Sequence, residues 1–361
     1  MTSIPLRLGL QQRVLPEYRI AFVDALAQAC RGGLSVFSGE PRAEESIDTS
    51  GQVKAAVPAH ASNIHLFKGK GYFCLQPNFI SWLEHWQPEA LIVEANTRYL
   101  STPAAIDWMH DRRRPVIGWG LGAPDTAPLE SMLRSRFLRS LDAIVAYSQA
   151  GADQYITAGH DPGRVFVAPN AVSPKPSQPA PLRPLAYRDG RPCILFVGRL
   201  QERKRLDILL EACAAFPPEK APRLIIVGDG PDRFRFEQIA DQLFPDAEFA
   251  GARHGEELEP FYNEADLFVL PGSGGLAVQQ AMAHALPVIV GIADGTRGEL
   301  VRQGNGWTLP EPDALTLKGL IEEALSDLPR LRRMGLESYR IVAEEVNIEH
   351  MVEVFASAIQ A

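Results

Sequence analysis

Long hydrophobic runs are missing from this sequence of 361 residues. No stretch of about 18 apolar residues occurs, so no segment is predicted to span a membrane. Residues 1–12 carry Arg7 inside their apolar stretch and lack a small-residue cleavage site, which argues against a signal peptide. An excess of basic residues is also missing: the formal net charge is −8. Because nucleic-acid binding usually needs a basic surface, no nucleic-acid partner is predicted.

Cysteine is scarce and scattered. Cys30, Cys74, Cys193 and Cys213 form no CxxC pair, which favours unpaired thiols in a reducing cytoplasm. The 8 histidines show no metal-ligand spacing, so a metal site is not expected. No cofactor is predicted either. With 46% hydrophobic and 22% charged residues the composition is that of an ordinary globular protein. At about 150 residues per domain, the length predicts two domains.

Short apolar runs alternate with helical patterns along almost the whole chain. Runs such as Ala90–Val93 and Cys193–Val197 are continuous, as in strands buried on both faces of a parallel sheet. Between the runs, apolar residues recur with helical spacing, as at Leu206, Leu209 and Leu210. Strand and helix repeated in this way predict an α/β fold of doubly wound parallel sheets.

A proline-rich segment interrupts this rhythm at residues 173–192, which hold six prolines and little apolar periodicity. Proline stiffens the chain and removes backbone donors, so the segment is predicted to be an interdomain linker. The alternative is a surface loop within one large domain. The linker separates a predicted domain at 1–172 from a second at 193–345. Two such domains facing each other form a cleft, which is a favoured place for a ligand.

Several turns of the second half follow predicted strands, at the edge where ligands bind to parallel sheets. Gly198 and Arg199 directly follow one strand, and Lys204 lies at the start of the next helix. A planar guanidinium and a compact ammonium together suit a diphosphate, although a solvated basic helix start has the same sequence. Gly228 follows another strand in a Gly-Asp-Gly-Pro turn, which is either part of this site or a tight turn only.

A glycine-rich turn precedes a predicted helix near residue 276. Gly274, Gly275 and Leu276 occupy the helix start. Glycines there let backbone amides approach an anion, and the helix dipole favours negative charge. Because glycine turns before helices are common, the pattern alone leaves the anion site open.

The second half also carries a series of motifs in a fixed order. They read FVGRLQERKRLDILLEA, LIIVGDGP, ADLFVLPG, GLAVQQAMAHALPVIVG and GELVRQGNGW. The series resembles the retaining nucleotide-sugar glycosyltransferases of family 4, over residues 140–310 well and over the first 130 loosely. The resemblance implies the GT-B fold, in which two Rossmann-like domains face each other across a cleft. It further implies that the first domain binds the acceptor and that a final helix, 346–361, crosses back to that domain.

Donor-site residues follow from this resemblance position by position. The arginine and lysine that hold the donor diphosphate in the family match Arg199 and Lys204, which would stabilise the departing diphosphate. The helix-start amides match Gly274, Gly275 and Leu276.

The sequence departs from the family at several positions. The family's paired glutamates, one contacting the transferred sugar and one the ribose, match Gly272 and Gln280. Gln280 keeps a neutral donor and acceptor for ribose hydroxyls. Arg205 stands where the family usually has glycine. Glu299 matches the glutamate of the family's Pro-Glu-Leu turn near the nucleotide, with Gly298 in place of the proline.

Candidate acceptor contacts lie in the first half. A Gln-Arg-x-Leu-Pro-x-Tyr-Arg start resembles a subset of bacterial family-4-like enzymes and places Arg13 and Arg19 to meet a phosphate. Alternatively, Arg19 covers a helix surface. Glu94, Asn96 and Arg98 follow a predicted strand and suit sugar hydroxyls or an acidic group. A helix cap with a surface ion pair is the alternative for these three.

Two further features of the first half have two interpretations each. Trp119 is either a stacking face for a sugar or part of the domain core. Residues 132–141 are amphipathic and basic, so they pack on their own sheet or lean on anionic lipid.

The resemblance predicts a metal-independent enzyme that moves a sugar, with retention, from a nucleoside-diphosphate sugar to a hydroxyl of a glycan or lipid-linked glycan. A cytoplasmic location, peripheral contact with the inner face of the plasma membrane and a role in bacterial polysaccharide assembly accompany that prediction. The alternatives are a non-catalytic nucleotide-sugar-binding or partner subunit of the same fold, and a nucleotide-sugar epimerase. An NAD dehydrogenase is disfavoured because no GxGxxG follows the first strand.

Overall fold

The structure is a computed structural model that describes residues 3–42, 45, 47, 49–123, 128–273, 276–291 and 300–361. The chain divides into two compact units. Unit 1 comprises Met1–Pro174 with Asn347–Ala361, and unit 2 comprises Lys175–Val346. Within the described ranges, no helix is both long and apolar enough to cross a membrane.

Unit 1 is built on a parallel sheet. Its strands are β1 (Leu8–Gln11), β2 (Leu34–Ser38), β3 (Val57–His60), β4 (Ile64–Leu66), β5 (Phe73–Leu75), β6 (Ala90–Glu94), β7 (Val116–Gly120), β8 (Ala143–Ala146) and β9 (Val165–Val167). Counted over the described residues, seven of them form one sheet in the order β3-β2-β1-β6-β7-β8-β9, and β4 pairs with β5 antiparallel. The order reverses between β1 and β6, and ligands bind α/β sheets at the carboxyl ends of strands beside such a switch point.

Helices cover the sheet of unit 1, and they explain why its strands read as continuous apolar runs. They are α1 (Ile20–Ala29), α2 (Phe79–Trp86), α3 (Thr102–His110), α4 (Pro128–Arg139) and α5 (Gln149–Thr157). Every residue of β8 is buried, as expected for a strand covered on both faces. The basic amphipathic stretch predicted at 132–141 forms much of α4: Phe137 and Leu138 are buried, whereas Met132 and Leu133 are exposed.

Unit 2 repeats this architecture. Its strands are β10 (Cys193–Val197), β11 (Arg223–Val227), β12 (Glu248–Gly251), β13 (Leu267–Leu270), β14 (Val288–Val290) and β15 (Gly306–Thr308). Over the described part of the chain they form one sheet in the order β12-β11-β10-β13-β14-β15, with parallel pairing throughout. Here the order reverses between β10 and β13.

The helices of unit 2 alternate with its strands up to β14. They are α6 (Leu206–Ala214), α7 (Arg233–Leu243), α8 (Glu259–Glu264), α9 (Leu276–Ala283), α10 (Ala314–Leu325) and α11 (Leu328–Glu344). Leu206, Leu209 and Leu210 are all buried in α6, which confirms the predicted apolar stripe.

The proline-rich segment is fastened to unit 2 by two arginines. Arg183 within it donates hydrogen bonds to the backbone carbonyls of Tyr262 and His284, each at 2.8 Å. From the other side, Arg332 of α11 donates to the carbonyl of Pro184 at 2.9 Å. Burial is the main cause that lowers the pKa of Arg183 to about 10. The segment is therefore part of the packing of unit 2 rather than a free tether.

The last helix, α12 (Ile348–Gln360), belongs to unit 1. It packs against α1 and β8. The ring of Phe355 lies 5.1 Å from the ring of Phe22 and 5.1 Å from that of Trp119, centroid to centroid. Unit 1 is thus completed by a segment that follows unit 2 in the sequence.

Candidate functional site

Two turns of unit 2 meet at the carboxyl ends of neighbouring strands. A Cβ atom built on Gly228, after β11, would lie only 2.0 Å from the carbonyl oxygen of Gly198, after β10. Gly228 also has φ +147, a conformation that favours glycine. The side chain of Lys204 passes over the same place, since its Cε would be 3.8 Å from a Cβ on Gly198. These three predicted donor residues are therefore neighbours.

Lys204 connects these turns to the turn that precedes α9. Its Nζ donates to the carbonyl oxygen of Ser273 at 2.6 Å. The Ser273 N–H in turn donates to the carbonyl of Arg203 at 3.0 Å. The contact joins the loops after β10 and β13, which flank the switch point of this sheet. A cation and the approach to a helix start therefore lie together where ligands bind this kind of sheet.

Three other predicted donor residues lie in the described part of the chain. Arg199 is exposed and follows Gly198 directly. Leu276, 37% exposed, begins α9. One turn into that helix, the amide oxygen of Gln280 accepts a hydrogen bond from the hydroxyl of Tyr262 at 3.2 Å. Three predicted residues lie outside the described part of the chain: Gly274, Gly275 and Glu299.

Gly272 occupies a space that is closed to side chains. A Cβ atom there would lie 2.2 Å from the carbonyl oxygen of Arg203 and 2.5 Å from the Cα of Lys204. Gly291 directly follows the neighbouring strand β14, and a Cβ atom built on it would lie 1.7 Å from the carbonyl oxygen of Pro271. The position that matches the family's sugar-contacting glutamate is therefore filled by backbone of the loop after β10.

Arg205 has a left-handed backbone, with φ 53 and ψ 40 at the start of α6. Non-glycine residues adopt this conformation at a cost of about 1–2 kcal/mol, which explains a preference for glycine at this position. We expect Arg205→Gly to be more stable than Arg205→Ala by about 1 kcal/mol, since both lose the ion pair with Asp207 and only the backbone preference differs. Urea unfolding of the two variants measures this difference. Equal midpoints would contradict the assignment of strain to this residue.

A pocket of about 540 Å³ opens in unit 1, at the carboxyl ends of β6, β7 and β8. Its described lining residues all belong to unit 1. Five of the six predicted acceptor residues contribute to the lining: Arg19, Glu94, Asn96, Arg98 and Trp119. The pocket lies beside the switch point between β1 and β6, so the rule for α/β sheets again marks its position.

Glu94 lies at the side of this pocket nearest β1. Its Oε2 accepts a hydrogen bond from the backbone N–H of Arg13 at 2.6 Å. Its own N–H donates to Oε1 of Gln11 at 3.2 Å. Burial raises the pKa of Glu94 above the ordinary glutamate value, against the lowering effect of the Arg13 hydrogen bond and of the Arg19 charge. The carboxyl group is thus oriented by backbone and side chains of unit 1.

Arg19 lies on Trp119. Its Cζ is 4.3 Å from the centroid of the indole ring, and its guanidinium donates to the side chains of Gln12 and Tyr147. Trp119 is only 1% exposed and packs edge-on against Phe355. This burial favours the interpretation of Trp119 as a core residue over that of a stacking face for a sugar. The residue belongs to the core and supports Arg19.

Arg13 does not line the pocket, because Glu45 holds its side chain elsewhere. Its Nη1 donates to Oε2 of Glu45 at 2.8 Å. Its Cζ lies 5.9 Å from the ring centroid of Tyr72. The sequence predicted that Arg13 meets a phosphate of the acceptor. In the structure, its guanidinium binds the carboxylate of Glu45 instead.

The Arg13–Glu45 pair predicts a specific pH dependence. Burial opposes ionisation of Glu45, but hydrogen bonds from Arg13 and Arg42 prevail and lower its pKa from 4.5 to about 2. A carboxyl with a depressed folded pKa stabilises the fold above its unfolded pKa, and this stability is lost as pH falls through the folded value. We expect Glu45→Gln to be less stable than wild type by about 2–3 kcal/mol at neutral pH. The difference should shrink between pH 4.5 and about 2.

Guanidinium unfolding of both proteins across this pH range tests the prediction. A difference that does not change with pH would show that the pair contributes through packing rather than through charge.

Comparison with known proteins places these observations in a family context. Residues 182–340, all within unit 2, match the model of the family Glycosyl transferases group 1. A GDP-mannose-dependent alpha-mannosyltransferase of Mycobacterium tuberculosis is 41% identical over 125 residues, which are 34% of this chain and 31% of that protein. The chain spans less than half the length of the curated relatives that it matches.

Solved structures resemble the chain over its whole length. Anabaena Alr3699/HepE, crystallised in complex with UDP, has a TM-score of 0.72 at 16% identity and covers 100% of both chains. The lipopolysaccharide outer core galactosyltransferase WaaB has a TM-score of 0.69 at 16% identity, covering 98% of this chain and 99% of its own. The prediction of a GT-B fold with two Rossmann-like parallel-sheet domains is confirmed.

Proposed function

We propose that the chain is a glycosyltransferase that moves a sugar from a nucleoside-diphosphate sugar to a hydroxyl acceptor, without a metal and with retention of anomeric configuration. The observation that carries the proposal is the contact of Lys204 with Ser273. It puts a cation and the approach to α9 at the switch point of a sheet whose sequence matches the group 1 glycosyl transferases. Such a site suits a diphosphate, which needs concentrated positive charge and several donors.

In the proposed reaction, the bond between the anomeric carbon and the diphosphate oxygen breaks as the acceptor oxygen bonds to the same face of the sugar. The acceptor proton passes to the departing phosphate oxygen, so no protein base is needed. Arg199 and Lys204 stabilise the negative charge that develops on the diphosphate. Donors fixed in advance around developing charge typically contribute about 3 kcal/mol each to lowering the barrier.

The closed space at Gly272 determines how the transferred sugar is held in this proposal. A glutamate at that position has no room beside the Arg203 and Lys204 backbone. Other groups therefore contact the sugar hydroxyls. Gln280 contributes its amide to the ribose, and the pocket of unit 1 receives the acceptor, a glycan or lipid-linked glycan.

The closed space at Gly272 favours a second candidate, a nucleotide-sugar-binding subunit without transferase activity. Loss of the sugar contact at Gly272 would leave diphosphate binding intact while removing turnover. The two functions differ in one measurable result, since only the transferase releases nucleoside diphosphate in the presence of an acceptor.

A panel of UDP- and GDP-sugars, each tested with and without oligosaccharide acceptors, distinguishes these functions. Thermal shift reports donor binding, because a ligand of the folded state raises its stability. We expect nucleotide release that depends on acceptor, and a product whose anomeric configuration by NMR is that of the donor. Stabilisation by donors without transfer to any acceptor would support the binding subunit instead. Isomerised donor in the absence of acceptor would indicate an epimerase.

A further inference from the structure

The described lining of the unit 1 pocket holds more arginines than carboxylates. Arg19, Arg98 and Arg134 contribute to its lining, and among the described lining residues Glu94 alone carries a carboxylate. That carboxylate already accepts a hydrogen bond at 2.6 Å from the backbone N–H of Arg13. The pocket therefore favours a ligand with negative charge, and guanidinium groups bind carboxylate and phosphate oxygens with matched geometry.

Two buried donors in the lining have no hydrogen-bond partner among the described residues. They are Nε of Arg19 and Nε1 of Trp119. Both groups donate only, so each is satisfied by an acceptor atom and by nothing else. Buried polar groups are nearly always paired, so unpaired donors at the wall of a pocket mark a place that suits an acceptor atom. The two side chains are in contact, since Cζ of Arg19 lies 4.3 Å from the Trp119 ring centroid.

Arg98 adds a donor group at the same pocket. Its backbone N–H donates to the side-chain oxygen of Asn96 at 3.1 Å, which orders the loop after β6. Its side chain is partly buried and lines the pocket. The volume of about 540 Å³ is enough for a ligand the size of a monosaccharide with one charged substituent.

We propose that the acceptor carries an anionic oxygen group, a phosphate or carboxylate, that binds in this pocket between Arg98 and the orphaned N–H groups of Arg19 and Trp119. The proposal rests on the proposed function, in which unit 1 binds the acceptor. Neutral hydroxyls on the same molecule are bound by the uncharged lining residues. The anionic group fixes the acceptor in one orientation, so acceptors that lack it are poor substrates.

Anion binding can be measured without donor and without turnover. Calorimetric titration of the full chain compares glucose 6-phosphate and glucuronate with glucose, and adds dihexanoyl phosphatidylglycerol as a phosphate carried by a lipid. We expect the anionic compounds to bind and glucose not to bind. Tighter binding of the sugar phosphate or of the phospholipid identifies whether the phosphate comes from a soluble glycan or from a lipid.

Three variants locate the binding. Arg98→Met should weaken anion binding about tenfold, the effect of one hydrogen bond to a charged group. Trp119→Phe, which removes the indole N–H but keeps an aromatic ring, should weaken it about fivefold. Arg31→Met is the matched control, because Arg31 is an exposed arginine of unit 1 that precedes β2, at the amino ends of the strands and outside the pocket lining. Its affinity should equal that of wild type.

Two results would overturn the inference. One is failure of every anionic compound to bind wild type. The other is equal weakening by Arg98→Met and Arg31→Met, which would mean attraction to general charge only. A protein that transfers sugar to neutral acceptors at a rate unaffected by Arg98→Met would retain the proposed function and lose this inference. Anion binding that depends on Arg98, in a protein that transfers no sugar, would support the anion site and contradict the proposed function.

Discussion

Replacing Lys204 with methionine should lower the rate of sugar transfer by about 10²–10³-fold, the usual effect of removing one fixed donor from developing negative charge. Methionine keeps the length of the side chain over Gly198 but cannot donate to the Ser273 carbonyl or to a diphosphate. The loss should appear in kcat as well as in donor affinity, because the charge on the leaving group is greatest in the transition state.

Lys220→Met is the matched control for this variant. Lys220 is also a lysine of unit 2, and it is exposed, but it precedes β11 and so lies at the amino ends of the strands. Its replacement changes the net charge by the same amount and should leave transfer unchanged. Transfer at the wild-type rate by folded Lys204→Met would remove the basis for the proposed donor site.

Gly272→Ala should reduce the free energy of unfolding by about 3 kcal/mol, the upper part of the usual range for overpacking. The added methyl group would lie 2.2 Å from the Arg203 carbonyl oxygen, and that atom belongs to backbone rather than to a flexible side chain. Gly272→Glu should be at least as destabilised. Restoring the family's residue is therefore expected to damage the site instead of improving it.

The same substitution at Gly319 should stabilise the protein instead of destabilising it. Gly319 lies in α10, and a Cβ atom added there would have nothing within 4 Å. Alanine is favoured over glycine in an exposed helix by about 1 kcal/mol, so this variant should be more stable than wild type. Chemical unfolding of both variants measures the contrast. A Gly272→Ala protein as stable as Gly319→Ala would show that the loop after β10 moves away without cost.

The sequence predicted the sheets well where strands are fully buried. β8 and β10 appear as continuous apolar runs because both faces of each strand are covered. β3 and β12 gave no such signal, since they are edge strands with mostly exposed or partly exposed residues. Buried area, rather than strand formation itself, is what the apolar pattern detects.

The site was predictable in position but only partly in contacts. Polar residues after buried strands fall at the carboxyl edge of the sheet, which is why Glu94 and Arg98 line the pocket and Lys204 lies beside Ser273. The partners of Arg13 and Arg19 were not predictable. Glu45 and Tyr147 are distant in sequence from their arginines, and spacing carries no information about which side chains meet across the fold.

The return of α12 to unit 1 has a consequence for how the protein is made. Phe355 closes the aromatic cluster around Phe22 and Trp119, yet the ribosome adds it only after the whole of unit 2. Until α12 is synthesised, this aromatic cluster lacks Phe355, so unit 1 completes its packing only after α12 has been made. Unit 2, whose chain is continuous, is able to fold first, although it is synthesised second.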